Sequence, residues 1–249
     1  MRPPIVLSPF PNVIYKNYMP SYLIIALAVL TIYGCKQEEL KIPTSYTLFV
    51  ANAGVNSKLI TNFTSTPILT QNSRGIYYVQ TSQKVSIADT TAPDNPIINK
   101  SLDYTNGVYS IFVAGQSPTF ETIIKEETDL PFIPNDKIYS SADSVVNVRF
   151  INLSPNSVPL KIKISTATTN EADALAYKDI TTWRSFKAVA SSTTYSLQIR
   201  NASTDALITT YSFVANATKR FKNVTLMIRG LQGTTSGVNS FGVTEINYF

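Results

Sequence analysis

The segment Val146-Asn147-Val148-Arg149-Phe150-Ile151-Asn152-Leu153-Ser154-Pro155 indicates the fold of this chain. Apolar residues at 146, 148 and 150 alternate with Asn147 and Arg149, a period of two that is typical of a β-strand. Ser154 and Pro155 then end the strand with turn-forming chemistry. Apart from residues 170–177, which fit a short helical turn, no stretch has a helical stripe. The sequence therefore predicts an all-β protein.

The same pattern opens the first half of the chain. Residues 46–52 alternate and end in Asn52-Ala53-Gly54, so residues 50–53 correspond to residues 150–155. A second pair of strands corresponds in the same way, residues 109–115 to residues 224–230. The repeat length is about one hundred residues, the usual size of one β-sandwich domain. Two tandem β-sandwiches are predicted.

These strands also resemble a known family. Residues 148–156, VRFINLSPN, resemble the opening strand of the bacterial domain of unknown function 4397, and residues 106–115, NGVYSIFVAG, are similar to its closing strand. Tandem copies behind a lipoprotein signal are common in that family. The resemblance implies Ig-like or prealbumin-like β-sandwiches and supplies no catalytic residues.

The N-terminal region has the pattern of a lipoprotein signal peptide. An apolar run of about ten residues from Leu23 is too short to span a bilayer, and the only charges before it are Arg2 and Lys16. The run ends in Ile32-Tyr33-Gly34-Cys35, which resembles the lipobox of bacterial lipoproteins and holds the single cysteine of the chain. We expect cleavage before Cys35, acylation of its thiol, and translation from Met1 or Met19.

The expected organisation follows from these patterns. It comprises a cleaved signal peptide (1–34), a lipidated tether (35–44), a first sandwich (45–130), a linker (131–144) and a second sandwich (145–249). Because the strand pattern weakens from residue 115 to residue 144, the halves are expected to be separable, and residues 141–249 to fold alone. Glu38-Glu39 in the tether resembles an export signal of some Gram-negative lineages. A plain solvated linker is the alternative.

Composition excludes several kinds of chemistry. The chain has no histidine, which removes the commonest general base and metal ligand, and acylation of Cys35 would leave no free thiol or disulfide. Cleavage removes two basic residues and no acidic one, leaving 19 basic and 16 acidic side chains. That balance does not indicate nucleic-acid binding. No cofactor or metal is expected, and the lipid anchor makes the membrane one partner.

Three groups of residues are candidates for a function. The densest carboxylate cluster is Glu126, Glu127 and Asp129, but a charge run in a linker is usually solvated. Trp183, the only tryptophan, and Phe186 are candidates for stacking on a sugar, although a lone tryptophan in a sandwich is more often core. The basic turn containing Lys219, Arg220 and Lys222 lies in a half with a net charge of +5, whereas residues 35–140 carry −2. That asymmetry would orient the protein near an acidic glycan or lipopolysaccharide, or let the halves attract.

Two classes of function stay open at this point. The first is a non-catalytic lipoprotein, displayed on the outer membrane and exposed at the cell surface, whose domains are structural or protein-binding. The second is an accessory carbohydrate-binding lipoprotein of a glycan-uptake system. The second requires a row of exposed aromatic side chains along a groove, whereas the first requires a flat or strand-edge contact surface. An enzyme is disfavoured by the composition.

Overall fold

The computed structural model describes residues 45–63, 67–80, 83–102, 107–131, 144–189 and 192–248. The chain divides into two units, Met1–Ile42 and Pro43–Phe249. The first unit lies outside the described residues, as do the predicted lipobox, Cys35 and Glu38-Glu39. Within the described part of the chain no helix is long and apolar enough to cross a membrane. All regular structure there is β-strand, which confirms the predicted all-β class.

The first sandwich contains eight strands in two four-stranded sheets. One sheet has the order β4-β1-β7-β8 and the other the order β3-β2-β5-β6. The strands are β1 (Ser45–Asn52), β2 (Lys58–Thr61), β3 (Ile68–Thr70), β4 (Arg74–Gln80), β5 (Lys84–Asp89), β6 (Ile98–Ser101), β7 (Val108–Gln116) and β8 (Thr119–Glu126). Apolar side chains from both sheets meet in one core that includes Leu48, Leu59 and Ile111.

The second sandwich repeats this arrangement strand for strand. Its sheets have the orders β12-β9-β15-β16 and β11-β10-β13-β14, the same orders as in the first sandwich when eight is subtracted. The strands are β9 (Val145–Asn152), β10 (Leu160–Ile164), β11 (Asn170–Leu175), β12 (Arg184–Lys187), β13 (Thr193–Asn201), β14 (Leu207–Ala215), β15 (Asn223–Arg229) and β16 (Gly242–Asn247). The predicted tandem of β-sandwiches is thereby confirmed.

Two segments with weak strand patterns form strands, and the helical turn predicted for one of them is wrong. Residues 119–126 lie within the predicted first sandwich, 45–130, although the strand pattern weakens from residue 115; they form β8 and pair with β7 along its length. Residues 170–175, interpreted as a helical turn, form β11, an edge strand of the second sandwich. In both cases pairing with a neighbouring strand outweighs a weak local pattern. Most of the predicted linker, residues 132–143, lies outside the described residues.

A buried asparagine fixes the loop after the first strand of each sandwich. Asn152 Oδ1 accepts from the Ser154 backbone N–H at 3.1 Å, and Asn152 Nδ2 donates to the Leu175 carbonyl at 3.2 Å. Asn52 makes the equivalent bonds with the Gly54 N–H at 3.0 Å and the Leu69 carbonyl at 3.1 Å. Because the donor after each asparagine is a backbone N–H, the loop forms in both repeats although their residues differ.

The central strands are buried on both faces. β1 and β7 are parallel neighbours, as are β9 and β15, and their outward side chains meet in a third core between the sandwiches. This core joins five residues of the first sandwich to five of the second: Phe49, Ala51, Ala53, Phe112, Ala114, Ile151, Leu153, Met227, Ile246 and Tyr248. The sandwiches therefore share apolar packing and belong to one compact unit, Pro43–Phe249.

The first strands of the two sandwiches, β1 and β9, run in the same direction. At one end, which we call the loop end, the β15–β16 connection contacts the first sandwich: Asn239 Nδ2 donates to Asn56 Oδ1 at 2.6 Å, and Gln71 Nε2 to the Val238 carbonyl at 3.1 Å. At the opposite end, the tether end, Ser45 begins β1 and Val145 begins β9. There Asn223 Nδ2 donates to the Pro131 carbonyl at 3.0 Å.

Because the third core is shared, the packing opposes the expectation that residues 141–249 fold alone. We predict that the Pro43–Phe249 unit unfolds in one cooperative transition and that Met227→Ala lowers its free energy of unfolding by about 2–5 kcal/mol. Met227 is fully buried between the sandwiches, whereas Leu207, a matched control for Leu207→Ala, is 52% exposed and should change stability by less than about 1 kcal/mol. Two resolved calorimetric transitions would contradict this prediction.

Candidate functional site

Arg149 is the most unusual residue of the interface between the sandwiches. It lies in the middle of β9, on the face turned toward the first sandwich, and its side chain is fully buried. Four of its N–H groups donate hydrogen bonds. Nη1 and Nη2 reach the two carboxylate oxygens of Glu127 at 2.7 and 2.6 Å, Nε reaches Thr225 Oγ1 at 2.8 Å, and Nη2 also reaches the Tyr248 hydroxyl at 2.9 Å.

Glu127 and Tyr248 come from strand ends of different sandwiches. Glu127 directly follows β8, its backbone N–H donates to the Val108 carbonyl, and its side chain is fully buried. Burial by itself lowers the pKa of Arg149, but the hydrogen bonds and charges of Glu127 and Tyr248 raise it above its usual value. Burial raises the pKa of Tyr248 more than Arg149 lowers it. The arginine is therefore a charged, satisfied group.

The structure relocates the residues that the sequence analysis proposed for sugar stacking. Trp183 is half-buried at the interface, where the guanidinium carbon of Arg149 lies 4.3 Å from its ring centre and Tyr248 meets it edge-on at 6.0 Å. Phe186 is buried in the second sandwich between Tyr195 and Phe213. Phe186 has no free face to stack on a sugar, and one face of Trp183 is covered by a cation. The stacking hypothesis does not fit these two residues.

The carboxylate cluster predicted to be solvated is exposed at Glu126 and Asp129 but buried at Glu127, and each of the three has a partner. Glu127 holds Arg149, Glu126 accepts from the Tyr109 hydroxyl at 2.9 Å, and Asp129 lies 3.1 Å from Lys125 Nζ. The expectation of a solvated run is wrong for Glu127, because a charge facing buried Arg149 must itself be buried. Among the described residues, no group of three or more acidic or cysteine side chains is placed to hold a metal ion.

Glu127, Thr225 and Tyr248 are not predictable from the sequence pattern as partners of Arg149. They lie 22, 76 and 99 residues away from it, so no local pattern connects them. The sequence around Arg149 does contain one indication that this residue is buried. Arg149 stands between apolar residues and is followed by Ile151 on its own face, which indicates that this face is buried as well.

The loop end carries two open grooves, one on each side of the β15–β16 connection. The larger, of about 620 Å³, is lined by amide, hydroxyl and apolar groups, and none of the described residues that line it is charged. Its lining includes Gln232, Leu207, Ile208, Thr209 and Phe241. The smaller, of about 330 Å³, is bounded by Val238 on one side and includes Lys58 and Asp89.

The β15–β16 connection is held in place by its own hydrogen bonds. Gly230 begins it with a φ of +80°, and a Cβ there would lie 2.1 Å from the Ser240 carbonyl oxygen, so glycine is required. The Leu231 N–H donates to the Asn239 carbonyl at 2.9 Å, and Asn156 and Gln232 bond reciprocally across the larger groove at 3.1 and 2.8 Å. The grooves are therefore preformed.

No protein-family model matches the chain, and no curated protein matches it. The likeness to the domain of unknown function 4397 thus stays a prediction from residues 106–115 and 148–156, and the assignment of function depends on the geometry.

We predict that the Arg149 network behaves as a coupled unit. Arg149→Leu leaves Glu127 buried without its counter-charge and should lower the free energy of unfolding by about 3–5 kcal/mol. Glu127→Leu should cost a similar amount, whereas the double variant should cost clearly less than the two losses added. Chemical denaturation measures all three.

The fluorescence of Trp183 provides a second measurement on the same variants, because Trp183 is the only tryptophan and its ring covers Arg149. Its fluorescence should change in Arg149→Leu and stay constant in Lys161→Gln, a variant of an exposed ion pair with Asp205 at 3.0 Å. Additive stability losses with an unchanged emission spectrum would show that the network is not coupled.

Proposed function

We propose that the protein is a non-catalytic cell-envelope lipoprotein, anchored through acylated Cys35, whose two β-sandwiches form a structural or protein-binding module displayed at the outer membrane. The observation that supports the non-catalytic assignment is that the carboxylates of Glu126, Glu127 and Asp129 are bound to other side chains of the protein. Each carboxylate of the densest cluster has a partner within the protein, and Glu127 is sealed against Arg149. Glu127 thus serves the packing of the two sandwiches, and none of the three carboxylates lines either of the grooves described above.

An exposed edge strand supports the protein-binding role. Among the described strands β4 pairs with β1 alone, and its alternate side chains point to solvent: Ile76 is 39% and Tyr78 is 79% exposed. It contains no proline or lysine, the residues that commonly block the addition of another strand. An extended segment of an envelope protein could pair with this edge through main-chain hydrogen bonds, while Tyr78 supplies apolar contact.

The second candidate function is glycan binding, and the larger groove favours it. Amides, hydroxyls and Phe241 without any charged group are suited to a neutral, hydroxyl-rich ligand. In this reading Phe241, which is half-buried, replaces Trp183 and Phe186 as the stacking residue. The chain would then be an accessory carbohydrate-binding lipoprotein of a glycan-uptake system.

The two functions predict different losses of binding. For the protein-binding role, Ile76→Lys with Tyr78→Lys should abolish capture of an envelope protein from extracts, because charges at the edge oppose strand addition. Ile60→Lys with Ile68→Lys, at residues 37% and 44% exposed on another sheet, is the matched control and should retain capture. For the glycan role, Phe241→Ala should abolish signals on a glycan array that both lysine variants retain. Loss of capture in the control as well would reject the edge.

The anchor is tested separately. Metabolic labelling with an alkyne fatty acid should mark the native chain, and Cys35→Ala should yield uncleaved precursor or protein missing from the envelope fraction. Three acyl chains contribute about 0.8 kcal/mol per buried CH₂, so attachment should be effectively permanent. Protease added to intact cells should digest the native chain, and replacement of Glu38 and Glu39 by alanine should leave it protected. A native chain that takes up no label would end the lipoprotein proposal.

A further inference from the structure

The direction of the strands sets which end of the protein lies near an anchor. β1 begins at Ser45 at the tether end and runs toward the loop end, and β9 runs the same way in the second sandwich. Nine residues separate Cys35 from Ser45, so the two residues lie at most about 36 Å apart when the segment is fully extended. An anchor at Cys35 therefore keeps the tether end close to the lipid, and this step rests on the proposed function.

The tether end has basic side chains without acidic partners. Lys187 pairs through its backbone with Val145 on one side of β9, and the Lys222 carbonyl accepts from Asn147 on the other side. Both side chains are exposed, and neither forms an ion pair with another described residue. Lys84, the first residue of β5, adds a third such charge on the first sandwich.

Most of the described acidic residues at the same end are paired with a cation. Asp129 pairs with Lys125 at 3.1 Å, Glu245 with Lys219 at 2.7 Å, and Glu127 with Arg149, whereas Glu126 is exposed and accepts only from the Tyr109 hydroxyl at 2.9 Å. Lys84, Lys187 and Lys222 are exposed without an ion pair among the described residues, against one such carboxylate, Glu126, so this end presents a net positive surface. Two such charges flank the start of β9 directly, close enough to act on one anionic surface.

The β14–β15 turn, residues 216–222, has two features that a purely structural turn does not require. Phe221 has a φ of +58°, a conformation that bulky residues rarely adopt, while its N–H donates to the Val145 carbonyl at 2.7 Å. Arg220 Nε is buried without a hydrogen-bond partner among the described residues. The turn thus holds a basic side chain with unused donor capacity beside Lys222.

We propose that the tether end is a membrane-contacting face, in which the exposed Lys187 and Lys222 bind the phosphates of anionic lipid headgroups and the partly buried Arg220 adds its positive charge beside them. The contact holds the sandwiches upright on the bilayer. The loop end, with both grooves, then points away from the membrane. Phosphate oxygens accept hydrogen bonds from lysine and arginine, and each basic residue near an anionic surface strengthens binding severalfold.

The test measures vesicle binding by the mature chain from Lys36, which contains the whole compact unit and lacks the lipid. It should sediment with phosphatidylethanolamine–phosphatidylglycerol vesicles and not with neutral phosphatidylcholine vesicles. Binding should weaken as salt shortens the Debye length from about 10 Å at 0.1 M. Lys187→Gln with Lys222→Gln should reduce the affinity roughly thirtyfold, from two headgroup contacts.

A control variant with the same charge change is available at the loop end. Lys58→Gln with Lys161→Gln removes two positive charges from exposed or half-exposed side chains there and should leave vesicle binding unchanged. Equal losses in the two double variants, or equal binding to neutral vesicles, would overturn the membrane-contacting face. If vesicle binding follows the prediction while Cys35 takes up no fatty acid, the lipid anchor is rejected and the membrane-contacting face is supported. If Cys35 takes up fatty acid while vesicle binding does not follow the prediction, the anchor is supported and the membrane-contacting face is rejected.

Discussion

The bidentate pair between Arg149 and Glu127 constrains the rest of this structure. A guanidinium that is fully removed from water is tolerated when its donors have partners, and here the main partner comes from the other sandwich. The pair therefore fixes the position of one sandwich against the other more strictly than the surrounding apolar contacts, which tolerate small shifts. Its contribution is to specificity of packing more than to net stability, because desolvation offsets much of the Coulomb attraction.

The two sandwiches have the same fold but contribute different side chains to the interface at equivalent positions. Phe49 and Arg149 occupy equivalent positions in β1 and β9, and both contact Tyr248, Phe49 with a ring distance of 4.6 Å and Arg149 at 5.5 Å. Ser110 and Thr225, equally equivalent, both lie within hydrogen-bond distance of the Tyr248 hydroxyl at 3.0 and 3.4 Å. Tyr248 thus contacts equivalent strand positions of both repeats, and at one of these positions the first repeat has the apolar Phe49 whereas the second has the charged Arg149. Because the two residues differ, the interface favours packing of the first sandwich against the second over packing of two identical sandwiches.

The two sandwiches point the same way, because β1 and β9 both run from the tether end to the loop end, and the protein therefore has two opposite end surfaces. The loop end carries preformed grooves without a charge in the larger of them, and the tether end carries free lysines beside the start of β9. For a protein held at one end by a lipid, this polarity would keep the recognition surface away from the bilayer. The shared core matters for such a role, because a hinge between the halves would let the grooves turn toward the membrane.

The sequence by itself determined the class and the repeat. Alternation at residues 146–150 predicts strands, and the match of Asn52 with Asn152 aligns the two sandwiches correctly, because the period of two and a buried loop asparagine are local properties. Only the tertiary structure decided that the outer faces of β1, β7, β9 and β15 are buried, that Glu127 belongs to Arg149, and that Trp183 covers a cation. These are contacts between residues far apart in the chain. A local sequence pattern shows which residues share a strand face, but it does not show whether the sheet of another sandwich covers that face and removes it from water.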